Sequence, residues 1–163
     1  MIVPLCASER LGSLGRIRSV QTSVPPASAC SLRVLSPSLD ATELVAASLA
    51  AVHEPGDLLL LRGEVGAGKT AFCRAFVRAA TRSPELEVPS PTFTLRLDYA
   101  SARGTPVIHV DAYRCGRRTG QARLGLEADA PRAVTLVEWP GRLADAEGVV
   151  RAARACLSIS LAE

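Results

Sequence analysis

Apolar residues recur along this chain with two periods, and the order in which the periods alternate predicts its architecture. Asp57–Arg62 reads DLLLLR, a continuous apolar run of the length expected for a buried parallel strand. Residues 106–110 (PVIHV) and 134–137 (VTLV) are two more such runs, and residues 157–161 (LSISL) alternate apolar and polar positions as a closing strand does. Between them the period lengthens: residues 70–80 place Phe72, Phe76 and Ala79 at helical spacing. Upstream, residues 32–35 predict a short first strand. Asp40 followed by Glu43 has the form of a capping box opening a helix that runs to about His53. That helix would turn Leu44 or Val45, Leu49 and Val52 inward, and Glu54-Pro55-Gly56 stops it. Residues 93–97 (FTLRL) alternate again and residues 101–106 read as a turn, so residues 93–110 predict an antiparallel hairpin. There are no internal repeats. Strands interleaved with helices predict an α/β sandwich around a largely parallel sheet.

Composition narrows this picture. A chain of 163 residues makes one domain with room for a real core, and 4% aromatic content means Leu, Val and Ala must build it. The longest apolar stretch, residues 44–52, is interrupted by Ser48 and is too short for a membrane span, so no membrane association is expected. Five cysteines without C-x-x-C spacing argue for a reducing compartment and against a zinc site, and His53 and His109 are too far apart for a histidine-based one. Residues 1–39 carry Arg10, Arg16, Arg18 and Arg33 against Glu9, and the remainder balances 15 basic with 15 acidic groups. The balanced body predicts no large nucleic-acid footprint of its own. The first thirty residues are rich in Ser and Arg, poor in acids and broken by Pro25 and Pro26. This reads as an organellar transit peptide, or else as a disordered extension or a mis-set start codon. The expected domain is residues 31–163, in a chloroplast or mitochondrion if the leader is real and in the cytoplasm otherwise.

The sharpest chemical signal is a lysine. Of 19 basic residues, 18 are arginine, and the single lysine is Lys69, within Gly63-Glu64-Val65-Gly66-Ala67-Gly68-Lys69-Thr70 and just before Ala71. This is the G-x-x-x-x-G-K-[ST] phosphate loop. An ammonium is a compact point charge that fits among phosphate oxygens where a planar guanidinium is too broad. A strand precedes the loop and a helix follows it, so backbone N–H groups and the helix dipole converge on one anion site. The chain is expected to bind a nucleoside triphosphate.

In such folds ligands lie beyond the carboxyl ends of the strands. Asp111 follows VIHV there and either holds Mg²⁺ with the Thr70 hydroxyl or caps the turn at Tyr113 and Arg114. Glu138 ends another apolar strand and either orients and deprotonates water or caps a helix. Thr92, in Ser90-Pro91-Thr92-Phe93-Thr94, is a candidate switch threonine on a loop whose chemistry is otherwise common. His109 shares a strand face with Asp111 and reads as a structural histidine. Trp139, the only tryptophan, is either a core or partner-facing residue or a stacking surface for a base.

Together GEVGAGKT, SPTFTL at 90–95, HVDAYR at 109–114 and LVEWP at 136–140 resemble the TsaE (YjeE) family in order and spacing, from about Leu32 to the C-terminus. The first motif is widely shared; the other three beside it are specific. The resemblance implies a three-layer P-loop sandwich that binds ATP and Mg²⁺ and hydrolyses ATP slowly. It also implies work beside TsaD and TsaB, which modify adenosine 37 of transfer RNA with a threonylcarbamoyl group, so that RNA is met through the complex. Carried over by position, Lys69 and Thr70 handle phosphates and magnesium, and Asp111 belongs to the metal site. Thr92 is the switch, and Glu138 and Trp139 form a functional pair. Ala71 and Val65 depart from the usual threonine and leucine, and residues 115–129 match poorly until LGLE at 124–127.

Other classes compete. A small-molecule kinase of shikimate-kinase type shares the phosphate loop, and Arg114, Arg117, Arg118 and Arg123 could mimic its lid. A GTPase would need an N-K-x-D loop, which a chain with one lysine already in the phosphate loop cannot supply. A non-hydrolysing module that uses ATP only to dock would keep the same residues.

Overall fold

The computed structural model describes residues 17–21, 31–36, 38–115 and 124–161. Its centre is a seven-stranded sheet: β1 (Ile17–Gln21), β2 (Ser31–Leu35), β3 (Asp57–Arg62), β4 (Arg96–Ala100), β5 (Pro106–Asp111), β6 (Val134–Glu138) and β7 (Ala155–Ser160), in the order β2-β1-β7-β3-β6-β5-β4. The four central strands, β7, β3, β6 and β5, are parallel, and antiparallel strands close both edges. Helices α1 (Leu39–Val52) and α2 (Lys69–Thr81) cover one face, and the short α3 (Leu126–Asp129) and α4 (Ala146–Ala152) cover the other.

Alternation along the strands feeds both layers. Leu59, Leu61, Val107 and Leu136 pack with Phe72 and Phe76 of α2 and with Ala46 and Ala50 of α1. Leu58, Leu60, Ile108, Val110 and Val137 pack with Leu126, Ala130 and Val149. The three-layer sandwich with a largely parallel sheet is as the sequence predicts. Phe72 and Phe76 are almost wholly buried and contribute roughly 2–3 kcal/mol each by removing apolar surface from water. Parallel pairing also aligns the chemistry. Asp111 stands opposite Glu138, and Leu61, one residue before the end of β3, stands opposite Glu138 as well. Three strand ends therefore open on one edge.

Several local expectations shift. β1 lies within the first thirty residues, which the sequence reading left outside the fold, and pairs with both β2 and β7. The rest of that segment is outside the described residues. Helix α1 is capped by Ser38, whose side chain accepts from the Ala41 N–H, with Asp40 inside the first turn. Val45 and Leu49 pack against the core as expected, whereas Leu44 and Val52 are 69% and 70% exposed; Ala46 and Ala50 are the fully buried positions, because small residues let α1 lie close against α2. β4 begins three residues later than predicted. Leu95 takes a left-handed backbone (φ 65°) and gives its N–H to the Pro91 carbonyl, which breaks the extended run and leaves Phe93 exposed.

Candidate functional site

The end of β3 turns into α2 through the glycine loop. Gly68 sits at φ 90° with nothing within 4 Å of where a Cβ would lie, so the backbone angle, not space, requires glycine. Helix α2 starts on Gly68 with no side-chain cap, leaving its first N–H groups for another acceptor. Lys69 curls back over the loop, and its Nζ donates to the carbonyls of Gly63 (2.8 Å) and Glu64 (2.6 Å). Burial pushes the lysine pKa down, while Glu138, Asp111 and Glu64 pull it back up.

Beyond the loop lies a cavity of about 470 Å³. Its wall includes Val65, Gly66, Gly68, Lys69, Thr70, Ala71, Thr92, Asp111, Glu138 and Trp139. Gly63, Glu64 and Ala67 do not line it. The first two serve through their carbonyls, and the Ala67 N–H closes the turn on Glu64. The structure thus gathers the other predicted residues of the site around one space.

The two carboxylates are held differently from the expected arrangement. Thr70, expected to share a metal with Asp111, directs its hydroxyl at Glu138, 3.0 Å from Oε1 and 2.9 Å from Oε2. Asp111 accepts instead from the Thr92 hydroxyl (2.8 Å), the Ser90 hydroxyl (3.4 Å) and the Tyr113 N–H (2.8 Å). Asp111 therefore caps the turn at Tyr113, as one of its two readings has it, and also faces the cavity. Glu138 caps no helix. The next residue, Trp139, adopts a left-handed backbone (φ 58°) and is stabilised by its own N–H to the Leu61 carbonyl. Such an angle costs a non-glycine residue about 1–2 kcal/mol. The bend carries the indole over Lys69, with Nζ 3.8 Å from the ring centroid, and against Tyr113 at 4.9 Å between centroids.

His109, read from sequence as structural, is brought into the site. Its Nε2 lies 2.9 Å from Glu138 Oε1 with both side chains buried. Alternation placed it on the face of Asp111; only the β5–β6 register reveals that this face meets Glu138. Cys73 joins them, the three ligand-type atoms lying within 4.8 Å of one another. Burial, then Glu138 and Asp111, push the pKa of that thiol well up. The kinase-like lid finds no support in Arg114, whose guanidinium covers the Phe93 ring at 4.8 Å. Arg117, Arg118 and Arg123 lie outside the described residues.

A buried ammonium, uncapped helix N–H groups, a hydroxyl and two carboxylates around one cavity can receive an anionic ligand together with a hard cation. The family model described as threonylcarbamoyl adenosine biosynthesis protein TsaE matches residues 36–163. Three curated proteins that bear the name tRNA threonylcarbamoyladenosine biosynthesis protein TsaE are similar. That of Synechocystis is 32% identical over 117 residues, 69% of this chain and 73% of that protein. That of Bacillus subtilis is 40% identical over 101 residues, 60% of each chain. That of Rickettsia bellii is 35% identical over 98 residues, 60% of this chain and 67% of that one. The crystal structure of Bacillus subtilis YdiB superposes with a TM-score of 0.51 at 30% identity, covering 66% of this chain and 63% of its own. No helix among the described residues is long and apolar enough to cross a membrane. With the family model spanning strands β3 to β7, the glycine loop and both carboxylates, this chain belongs to the TsaE family.

Proposed function

We propose that the chain is a slow, magnesium-dependent ATPase of tRNA threonylcarbamoyladenosine biosynthesis. It acts with homologues of TsaD and TsaB, meets transfer RNA through them, and is not itself the threonylcarbamoyl transferase. The observation that carries this reading is Lys69, the chain's only lysine, fixed by two loop carbonyls at the mouth of a helix that lacks a side-chain cap. The residues present fit both groups. The loop offers an ammonium and free N–H groups to phosphate, and the donor set of hydroxyl and carboxylates is the hard-oxygen type that magnesium takes. Thr70 and Asp111 would hold the ion, which when bound supplies charge neutralisation on the phosphate oxygens.

The chain's own side chains perform the remaining work. Lys69 keeps a cation where charge gathers on the transferred phosphoryl group. Thr70 donates its hydroxyl hydrogen bond to Glu138 and keeps its lone pairs free. Glu138 presents its carboxylate to the cavity and accepts a proton from the attacking water. Thr92, bound to Asp111, links the loop at residues 90–94 to the ion-holding carboxylate and serves as the switch. Trp139 covers Lys69 and, with Val65 and Ala71, forms the wall against the nucleotide. The test is ATP hydrolysis by the full chain with and without its cognate TsaD–TsaB pair, before and after chelation of divalent ions. Turnover that needs the partners and the ion supports the reading, and turnover needing a small phosphate acceptor instead would make the chain a kinase. Residues 1–16, ahead of β1, are proposed as an organellar leader, shorter than the thirty residues the composition suggests because β1 belongs to the sheet. A fluorescent reporter fused to them should enter a chloroplast or mitochondrion, and a reporter left in the cytosol ends that reading.

A further inference from the structure

Glu138 is held from two sides, and the mechanism above uses only one of them. Thr70 has a single hydroxyl proton and lies almost equally far from both carboxylate oxygens, at 3.0 and 2.9 Å. It therefore does not decide which oxygen stays free. His109 does, because its Nε2 meets Oε1 alone, at 2.9 Å. A carboxylate only accepts, so Nε2 carries the proton.

The rest of the ring gains nothing polar from this placement. His109 is 0% exposed, sits between Ile108 and Val110 in the centre of β5, and its Nδ1 has no hydrogen-bond partner. A buried polar atom without a partner costs about 1–3 kcal/mol, so an apolar side chain of similar volume would suit the core better. Among the described residues, the Nε2 bond to Glu138 is the one polar contact that accounts for a histidine here.

We propose that His109 is a positioning residue for Glu138. It pins Oε1 and so leaves Oε2 for Thr70 and for the water that Glu138 deprotonates. This rests on the reading of Glu138 as the water-activating group. The residue acts through Glu138 and touches no substrate; Cys73, Lys69 and Asp111 complete the polar surroundings of the carboxylate.

The experiment compares His109→Leu, which has no donor, with His109→Gln, whose amide can still donate. Both are tested in the full chain with its cognate partners. His109→Met, which also has no donor, serves as the second donor-deficient variant if the leucine variant does not fold. ATP turnover and the affinity for a fluorescent ATP analogue are measured separately. The leucine variant should lose about ten- to a hundredfold in kcat with affinity within about threefold, as a misplaced catalytic group does. The glutamine variant should recover most of that loss. In a Glu138→Gln background, His109→Leu should subtract almost nothing further, since the two act in series. Equal losses for Leu and Gln, or a full additional loss in the Glu138→Gln background, would overturn the proposal. Wild-type turnover unchanged by His109→Leu ends this role alone. Absence of wild-type turnover with partners ends the ATPase reading and this role with it.

Discussion

The two ends of one sheet treat charge in opposite ways. At the amino-terminal ends of β3 and β7, Asp57 is closed off: it accepts from the Glu54 N–H at 2.8 Å and pairs with Arg154. Nearby, Arg103 donates to the His53 carbonyl at 2.9 Å and lies equally close to its Nδ1. At the carboxyl ends, Lys69, Asp111 and Glu138 are 5%, 4% and 2% exposed, yet the lysine's hydrogen bonds go to neutral carbonyls and both carboxylates border a cavity. Burying charge costs several kcal/mol per ion unless it is well paired. At one end Asp57 is paired with Arg154 as folded. The other gathers buried charge around an open cavity, where the proposed function puts a ligand, and this contrast, more than any one motif, separates the proposed working edge from a structural one.

The largest expected effect breaks the working edge. Lys69→Ala removes charge-assisted bonds worth about 1.5–3 kcal/mol each, so nucleotide should bind roughly a hundredfold more weakly. Titration with a fluorescent ATP analogue reads this directly, and binding at wild-type strength would refute the phosphate site. Next, Glu138→Gln should lower partner-dependent turnover about 10²–10³-fold with binding within about threefold. Equal loss of both would make Glu138 structural.

At the opposite end the effects should fall on stability alone. Gly56 stands at φ 92°, and a Cβ there would lie 2.7 Å from Arg154 Cβ. Gly56→Ala should therefore cost at least about 1–2 kcal/mol in chemical denaturation, with nucleotide affinity unchanged. Asp57→Asn should cost under about 1 kcal/mol, because its partner Arg154 is half exposed. A change in nucleotide affinity from either variant would dissolve the contrast between the ends.

The smallest effect near neutrality is on protonation. Burial lowers the Lys69 pKa below its ordinary 10.5 despite Glu138, Asp111 and Glu64. Between the two values the unfolded chain holds the extra proton, so the nucleotide-free protein should gain stability as pH rises. Nucleotide affinity should fall over the same window, as the ammonium is lost. Slopes of the same sign would show that Lys69 does not carry the interaction.

Much of this was legible in the sequence because it is local. A phosphate loop between an apolar run and a helical period is written within some thirty residues, and β3 and α2 follow it closely. Asp111 and Glu138 could be placed at strand ends because each terminates an apolar run. What escaped depends on pairing. His109 looked structural until the β5–β6 register set it against Glu138, and Thr70 chose Glu138 over Asp111 for a reason that no spacing encodes. The late start of β4 likewise turns on the backbone of one leucine, Leu95, which its alternating sequence conceals. The alanine-lined face of α1 escaped because periodicity favours large residues, whereas close packing on α2 selects small ones.

The decisive measurement is multiple-turnover formation of threonylcarbamoyladenosine on transfer RNA. The reaction contains the cognate TsaD–TsaB pair, a supply of threonylcarbamoyl-adenylate, ATP, and either this chain or its Lys69→Ala variant. Sustained modification with the native chain and none with the variant is the predicted result. Equal modification with both, or with neither protein present, would contradict a function that depends on the charge held at Lys69.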